Sequence, residues 1–109
     1  MKLNVLERLL TLGMLPEEGN FVTLKVIRRG KMELSFSEDE IKKYKFKNVP
    51  QADGKMGTQW DSTIEQDTEI KLGSKVISLV AEELEKLNKD EKLKEDHYTL
   101  YEKFVKEDN

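Results

Sequence analysis

The apolar and polar positions of this chain change period twice, from helical spacing to alternation and back to helical spacing. Near the start, apolar residues at intervals of three and four predict a helix over 4–13, with Asn4 and Glu7 spaced as a capping box. In the last third, the same intervals predict a long helix capped by Ser74 and a final helix over 95–106. Alternation between these regions predicts short strands at 44–49, 59–61 and 68–72. The pattern therefore predicts an α+β fold: N-terminal helices, a small antiparallel sheet (a meander) and two C-terminal helices.

Two further elements lie between the first helix and the strands. Ser37 and Glu40 form a second capping box, which predicts a short helix over 38–44. The segment 21–33 is ambiguous, because its β-branched residues favour a strand. However, Asn20 is a suitable N-cap, and one face of such a helix would contain Phe21, Leu24, Ile27 and Lys31. A helix is therefore favoured there, and a strand remains the alternative.

Composition excludes most chemistry. The 109 residues include one histidine and no cysteine, which rules out thiolate nucleophiles, disulfides and cysteine zinc sites. A serine triad would need His97, and no serine lies in a nucleophile-elbow motif. We therefore predict no enzymatic activity, no metal and no cofactor, and His97 is expected to pack its ring on Tyr101. The length predicts a single domain over 1–109.

Charge is uneven along the chain, although the net charge is only −3. Between Lys25 and Lys47 there are eight basic residues against four acidic ones. Guanidinium and ammonium groups bind phosphates, and a glycine among them permits close approach, so candidate ligand or partner residues are Lys25, Arg28, Arg29 and Lys31, with Gly30 between them. The alternative is an exposed basic face that pairs with the acidic C-terminal helices.

Trp60 is the only tryptophan and completes the set of candidate binding residues. On an exposed strand it could stack on a base or anchor a protein interface. The alternative is a core position where the sheet meets the long C-terminal helix.

Several short segments stand in order along nearly the whole chain: Glu7-Arg8-Leu9-Leu10, Leu15-Pro16-x-x-Gly19-Asn20, Thr23-Leu24-Lys25-x-Ile27-Arg28, Leu34-Ser35-Phe36-Ser37-Glu38-x-Glu40, Gln59-Trp60-Asp61 and Leu93-x-x-Asp96-His97-x-x-Leu100-Tyr101-Glu102-Lys103-Phe104. In this order they resemble a family of small, uncharacterised proteins encoded by tailed bacteriophages and prophages. Lys94 stands where that pattern often has a capping threonine. The resemblance implies no reaction and no functional residue; it implies a protein made inside an infected or lysogenic bacterium.

These observations predict a small cytoplasmic protein that acts by stoichiometric binding, either blocking a host defence protein or sequestering a phosphorylated small molecule. The first alternative is a virion-assembly or structural accessory protein that acts through an apolar interface. The second is a winged-helix-like DNA-binding regulator, although the acidic net charge argues against DNA. No apolar run approaches the roughly 18 residues that span a bilayer, so no membrane association is expected. Self-association stays open.

Overall fold

A computed structural model describes residues 1–50, 52, 54–64 and 67–105 of the protein. The elements follow in the order β1 (Lys2–Leu3), α1 (Val5–Met14), α2 (Phe21–Leu34), α3 (Glu38–Lys43), β2 (Lys47–Pro50), β3 (Met56–Gln59), β4 (Thr68–Glu69), α4 (Ser74–Lys89), a 3₁₀ turn (Glu95–His97) and α5 (Tyr98–Phe104). The predicted α+β class is confirmed, and the ambiguous segment is a helix. The predicted end of the last helix, residue 106, lies outside the described residues.

The chain divides into two compact units. The first comprises Met1–Ser35 and Asp67–Asn109, and the second comprises Phe36–Gln66. The single domain expected from length therefore stays a prediction, and each unit is described by itself.

The first unit is built around the apolar faces of its helices. Val76, Val80 and Leu84 of α4 are buried, which agrees with the helical spacing of the apolar residues in this segment. They join a core that also contains Leu3, Leu15, Ile27, Leu34, Ile70, Leu100 and Phe104. The face predicted for α2 lines one cavity, where Ile27 is buried and Phe21 and Leu24 are exposed.

The strands pair as two separate antiparallel ribbons in the described part of the chain, which corrects the predicted meander. In the second unit, β2 and β3 form a hairpin in which Lys47 lies opposite Gln59. In the first unit, β4 pairs with β1, so that Leu3 lies opposite Thr68. A two-residue strand before α1 carries too little periodicity to be recognised, so β4 lacked its true partner in the sequence interpretation.

The first strand of the hairpin also begins later than predicted, because residues 44–46 form the C-terminal cap of α3. Lys45 adopts a left-handed conformation (φ 56°). The Phe46 N–H then donates to the Ile41 carbonyl at 3.1 Å, and the Lys45 N–H donates to the Lys42 carbonyl at 3.2 Å. This pair of bonds is a Schellman motif, which satisfies carbonyls at the helix end with no glycine present. The alternating apolar and polar pattern that begins at Tyr44 therefore includes residues that end α3 and do not belong to the strand.

Two charged side chains of α1 are buried, Glu7 and Arg8, each only 2% exposed. Glu7 Oε1 accepts the Asn4 N–H at 2.9 Å and Lys103 Nζ at 2.8 Å, which joins α1 to α5. Burial alone would raise the pKa of Glu7, but these two hydrogen bonds, a further one from the Thr99 side chain and the charge of Lys103 outweigh it and hold that pKa below its usual value of 4.5. The capping box at Asn4 is thereby extended into a tertiary contact.

The lowered pKa of Glu7 predicts acid sensitivity. A carboxylate whose pKa is lower in the folded state stabilises the fold above its unfolded pKa and loses that effect as pH falls through the folded pKa. Glu7→Gln is expected to lower the free energy of unfolding by about 2 kcal/mol at pH 7 and by progressively less below pH 4.5. Urea unfolding between pH 7 and pH 3 measures this, with Glu102→Gln as an exposed control on α5. A loss that is the same at both ends of this pH range would contradict it.

Candidate functional site

Helix α2 carries the four basic residues singled out in the sequence, and all four are exposed. They do not form one cluster, because successive residues of a helix point about 100° apart. Lys25 and Arg29, one turn apart, line a cavity between α2 and the start of α4. Arg28 and Lys31 line a second cavity beside α2, to which Lys25 also contributes. The structure therefore separates Arg29 from Arg28 and Lys31, whereas Lys25 lines both cavities.

Trp60 belongs to the second unit. Its ring is half-buried and tilted against Phe46, with 6.2 Å between the ring centroids. Phe46 also contacts Phe36 edge-on at 4.8 Å, and the buried Tyr44 lies 6.3 Å away. Trp60 is thus part of an aromatic cluster in its own unit, and its role in binding a partner stays a prediction.

The cavity between α2 and α4 has a volume of about 570 Å³ and contains a third basic residue, Lys75. A smaller cavity of about 330 Å³ shares Val26, Ser74 and Lys75 with it. We call the combined space the α2–α4 groove and define it by Lys25, Val26, Arg29, Glu33, Ser74 and Lys75. Its size is within the range of small-molecule sites, about 300–1,000 Å³.

The start of α4 adds to the positive character of the groove. Ser74 was predicted to cap this helix, and that prediction is wrong: the N-cap is Gly73, which has no side chain with which to cap the helix. Gly73, Ser74 and Lys75 all line the groove, so the first turn of a 16-residue helix borders it. Amide groups at a helix start have no partner within the helix and carry the positive end of its dipole, which favours an anion.

Glu33 is the acidic residue of the groove. Its Oε2 atom is buried and accepts no hydrogen bond from the residues that the structure describes. Nor does any described residue form an ion pair with Lys25, Arg29 or Lys75. The groove thus combines three cations with one buried acceptor, an arrangement that suits a ligand carrying both an anionic group and a hydrogen-bond donor.

Gly30 fixes how closely α2 and α4 approach. A Cβ atom at this position would lie 3.1 Å from both methyl groups of the buried Val76. The sequence analysis expects this glycine to permit close approach at a phosphate site. In the structure Val76 packs against Gly30, which also lines the α2–α4 cavity, so its role in ligand binding stays a prediction.

Sequence reasoning missed Lys75 and Glu33. Lys75 lies about fifty positions from the basic segment in the chain, and only packing brings them together. One signal was available: a lysine in the first turn of a helix faces the positive end of the dipole, which is electrostatically unfavourable. A cation held at such a position suggests an anion nearby.

His97 has a local structural role. Its Nδ1 atom accepts the Lys94 N–H at 2.9 Å, which closes the 3₁₀ turn ahead of α5.

Within the described residues, no three His, Cys, Asp or Glu side chains are placed to hold a metal ion. Over the same residues, every helix is too short or too polar to cross a bilayer.

Comparisons with protein-family models, with curated proteins and with solved structures found no match to this chain. The resemblance to tailed-phage proteins stays a prediction from the sequence, and the case for a function depends on the geometry of the groove.

Proposed function

We propose that this protein binds and sequesters a phosphorylated small molecule in the α2–α4 groove, without transforming it. The observation that supports this is the convergence of Lys25, Arg29 and Lys75 on one cavity beside the uncapped start of α4. Guanidinium and ammonium groups form charge-assisted hydrogen bonds with phosphate, and the amides of the first turn add further donors. The phage setting belongs to this proposal only through the resemblance of the sequence.

Glu33 narrows the class of ligand. A carboxylate among three cations weakens the binding of a bare phosphate ion, because like charges repel. It also provides a buried acceptor for a hydroxyl or amino group. The ligand that fits is therefore a phosphate ester with donors of its own, such as a nucleotide or a sugar phosphate.

Arg29→Ala and Arg28→Ala form a matched pair for the test. Both replace an exposed arginine of α2 with alanine, but only Arg29 lines the groove. A panel of linear and cyclic nucleotides and sugar phosphates is screened by thermal shift, with adenosine as the compound without phosphate, and hits are titrated calorimetrically. A ligand at a hundred times its Kd stabilises the fold by about 2.7 kcal/mol. Arg29→Ala is expected to weaken binding by about 10-fold or more, and Arg28→Ala by less than about 2-fold.

Glu33→Gln distinguishes the binding of the phosphate group from the binding of the hydrogen-bond donor of the ligand. Inorganic phosphate is expected to bind this variant more tightly than the wild type, because the repulsion is removed. A nucleotide that donates to Glu33 is expected to bind it less tightly. The proposal fails if no phosphorylated compound of the panel raises the melting temperature, or if Arg28→Ala and Arg29→Ala weaken binding equally.

A further inference from the structure

The side of α2 that carries Arg28 is unusually apolar for an exposed helix surface. Phe21 is 79% exposed and Met32 is 72% exposed, and Leu24 is exposed between them. At 3.6 residues per turn, these side chains lie on the same side of the helix as Arg28 and Lys31. We call this surface the outer face of α2 and define it by Phe21, Leu24, Arg28, Lys31 and Met32.

A groove of about 800 Å³ runs beside this face. Phe21, Leu24 and the buried Ile27 form its apolar lining together with Pro16. Its charged lining is three basic residues and one acidic residue, namely Lys25, Arg28, Lys31 and Glu17, so the positive charge prevails. Large apolar side chains grouped on a monomer surface typically mark an interaction site. Phe, Met and Arg are also enriched in protein interfaces. The groove and the exposed side chains together have the composition of an interaction surface, which adjoins the α2–α4 groove at Lys25.

The positive charge of the outer face distinguishes between its possible binding partners, which are another protein, a second copy of this chain and a membrane. Arg28 lies at the centre of the outer face, with Phe21 and Met32 one to two turns away on either side. A second copy docked about a twofold axis would bring Arg28 against its equivalent, which is repulsive. A bilayer would receive the guanidinium in the middle of the inserted surface, whereas amphipathic membrane helices keep their cations on the polar face.

We propose that the outer face of α2 docks an amphipathic helix of another protein, one that carries carboxylates beside its apolar stripe. A carboxylate pairs with the Arg28 guanidinium, whose planar fork suits bidentate contact. The apolar stripe of the partner covers Phe21 and Met32, as in other helix-in-groove complexes. Lys25 lines both grooves, but Phe21, Arg28 and Met32 do not line the phosphate groove, so variants at these three residues test the outer face separately.

The experiment uses the full chain and a fluorescent amphipathic peptide with leucines at helical spacing flanked by glutamates. Two control peptides have the same leucines with lysine flanks, or the same composition in scrambled order. Fluorescence anisotropy is expected to show saturable binding of the glutamate peptide alone. Arg28→Glu and the double variant Phe21→Ser/Met32→Ser are each expected to weaken it at least about 10-fold, while Arg29→Glu changes it by less than about 3-fold.

Each other occupant gives a result that overturns the proposal. If the scrambled peptide binds equally well, or if the glutamate peptide shows no saturable binding, an acidic helix is excluded as the partner. Binding to vesicles of anionic phospholipid that is lost in Phe21→Ser/Met32→Ser, without peptide binding, assigns the face to a membrane. A wild-type dimer in sedimentation equilibrium that this variant dissociates assigns it to a second copy. Arg29→Ala tests the phosphate groove in the same preparations, so the two proposals are distinguished.

Discussion

Arg8→Met is expected to lower the free energy of unfolding by about 3 kcal/mol, because it removes charge-assisted hydrogen bonds from a buried site. The Arg8 side chain is 2% exposed and reaches from α1 to the end of α2. Its Nε atom donates to the Leu34 carbonyl at 3.2 Å, and its Nη2 atom donates to the Ser35 carbonyl at 2.7 Å. These carbonyls end α2, so the guanidinium satisfies acceptors without a partner in the helix and complements the negative end of the dipole.

Urea unfolding at pH 7 measures this effect. Methionine approximates the aliphatic length of arginine and removes the charge and the donors, so the change isolates the polar contacts more closely than alanine does. Arg28→Met is the matched control, because this arginine is exposed on α2, and a change within about 0.5 kcal/mol is expected there. A change as small for Arg8→Met would show that the end of α2 is held by other contacts.

The burial of Arg8 illustrates what the sequence could not indicate. A periodic pattern assigns a charged residue to the solvent side of a helix, and nothing near Arg8 in the chain contradicts that assignment. The reason for its burial is the end of another helix, 26 residues further along the chain. The antiparallel pairing of Leu3 with Thr68 could not be predicted for the same reason, because only tertiary structure brings those residues together.

Local signals were reliable for the two capping boxes, although not for the helix cap at Ser74. Both capping boxes predicted from spacing, Asn4 with Glu7 and Ser37 with Glu40, form with both reciprocal hydrogen bonds. Each depends only on residues three apart, so the sequence contains all the information that the motif needs. The buried positions of α4 could also be predicted, because its apolar residues recur at helical spacing along the chain.

The candidate site was predictable in its residue types but not in its geometry. The basic segment was interpreted as one cluster, whereas the helix directs Arg28 and Arg29 to different cavities. The α2–α4 groove also needs Lys75 from a distant element, and its width depends on a contact between Gly30 and Val76. One arginine faces a groove suited to phosphate and its neighbour faces a surface suited to a protein, so a single helix serves two proposed functions.

Gly30→Leu is expected to lower the free energy of unfolding by about 2–3 kcal/mol and to weaken the phosphate binding proposed for the groove. A Cβ atom alone would lie 3.1 Å from both methyl groups of Val76, and the further atoms of leucine would have to displace α4. Val76 is buried and β-branched, so it has little rotamer freedom with which to yield. Because Lys25 and Arg29 extend from α2 and Lys75 from α4, a separation of the helices also separates the cations.

A double-mutant cycle with Val76→Ala tests whether this contact is the cause. Val76→Ala is itself destabilising, because it removes buried methyl groups, but it also provides room for the new side chain. Gly30→Leu is therefore expected to cost at least about 1 kcal/mol less in the Val76→Ala background than in the wild type. Equal losses in both backgrounds would mean that Gly30 is constrained by something other than Val76. Since leucine is the better helix former by somewhat under 1 kcal/mol, propensity alone would make Gly30→Leu stabilising, so the sign of the measured change decides between packing and propensity.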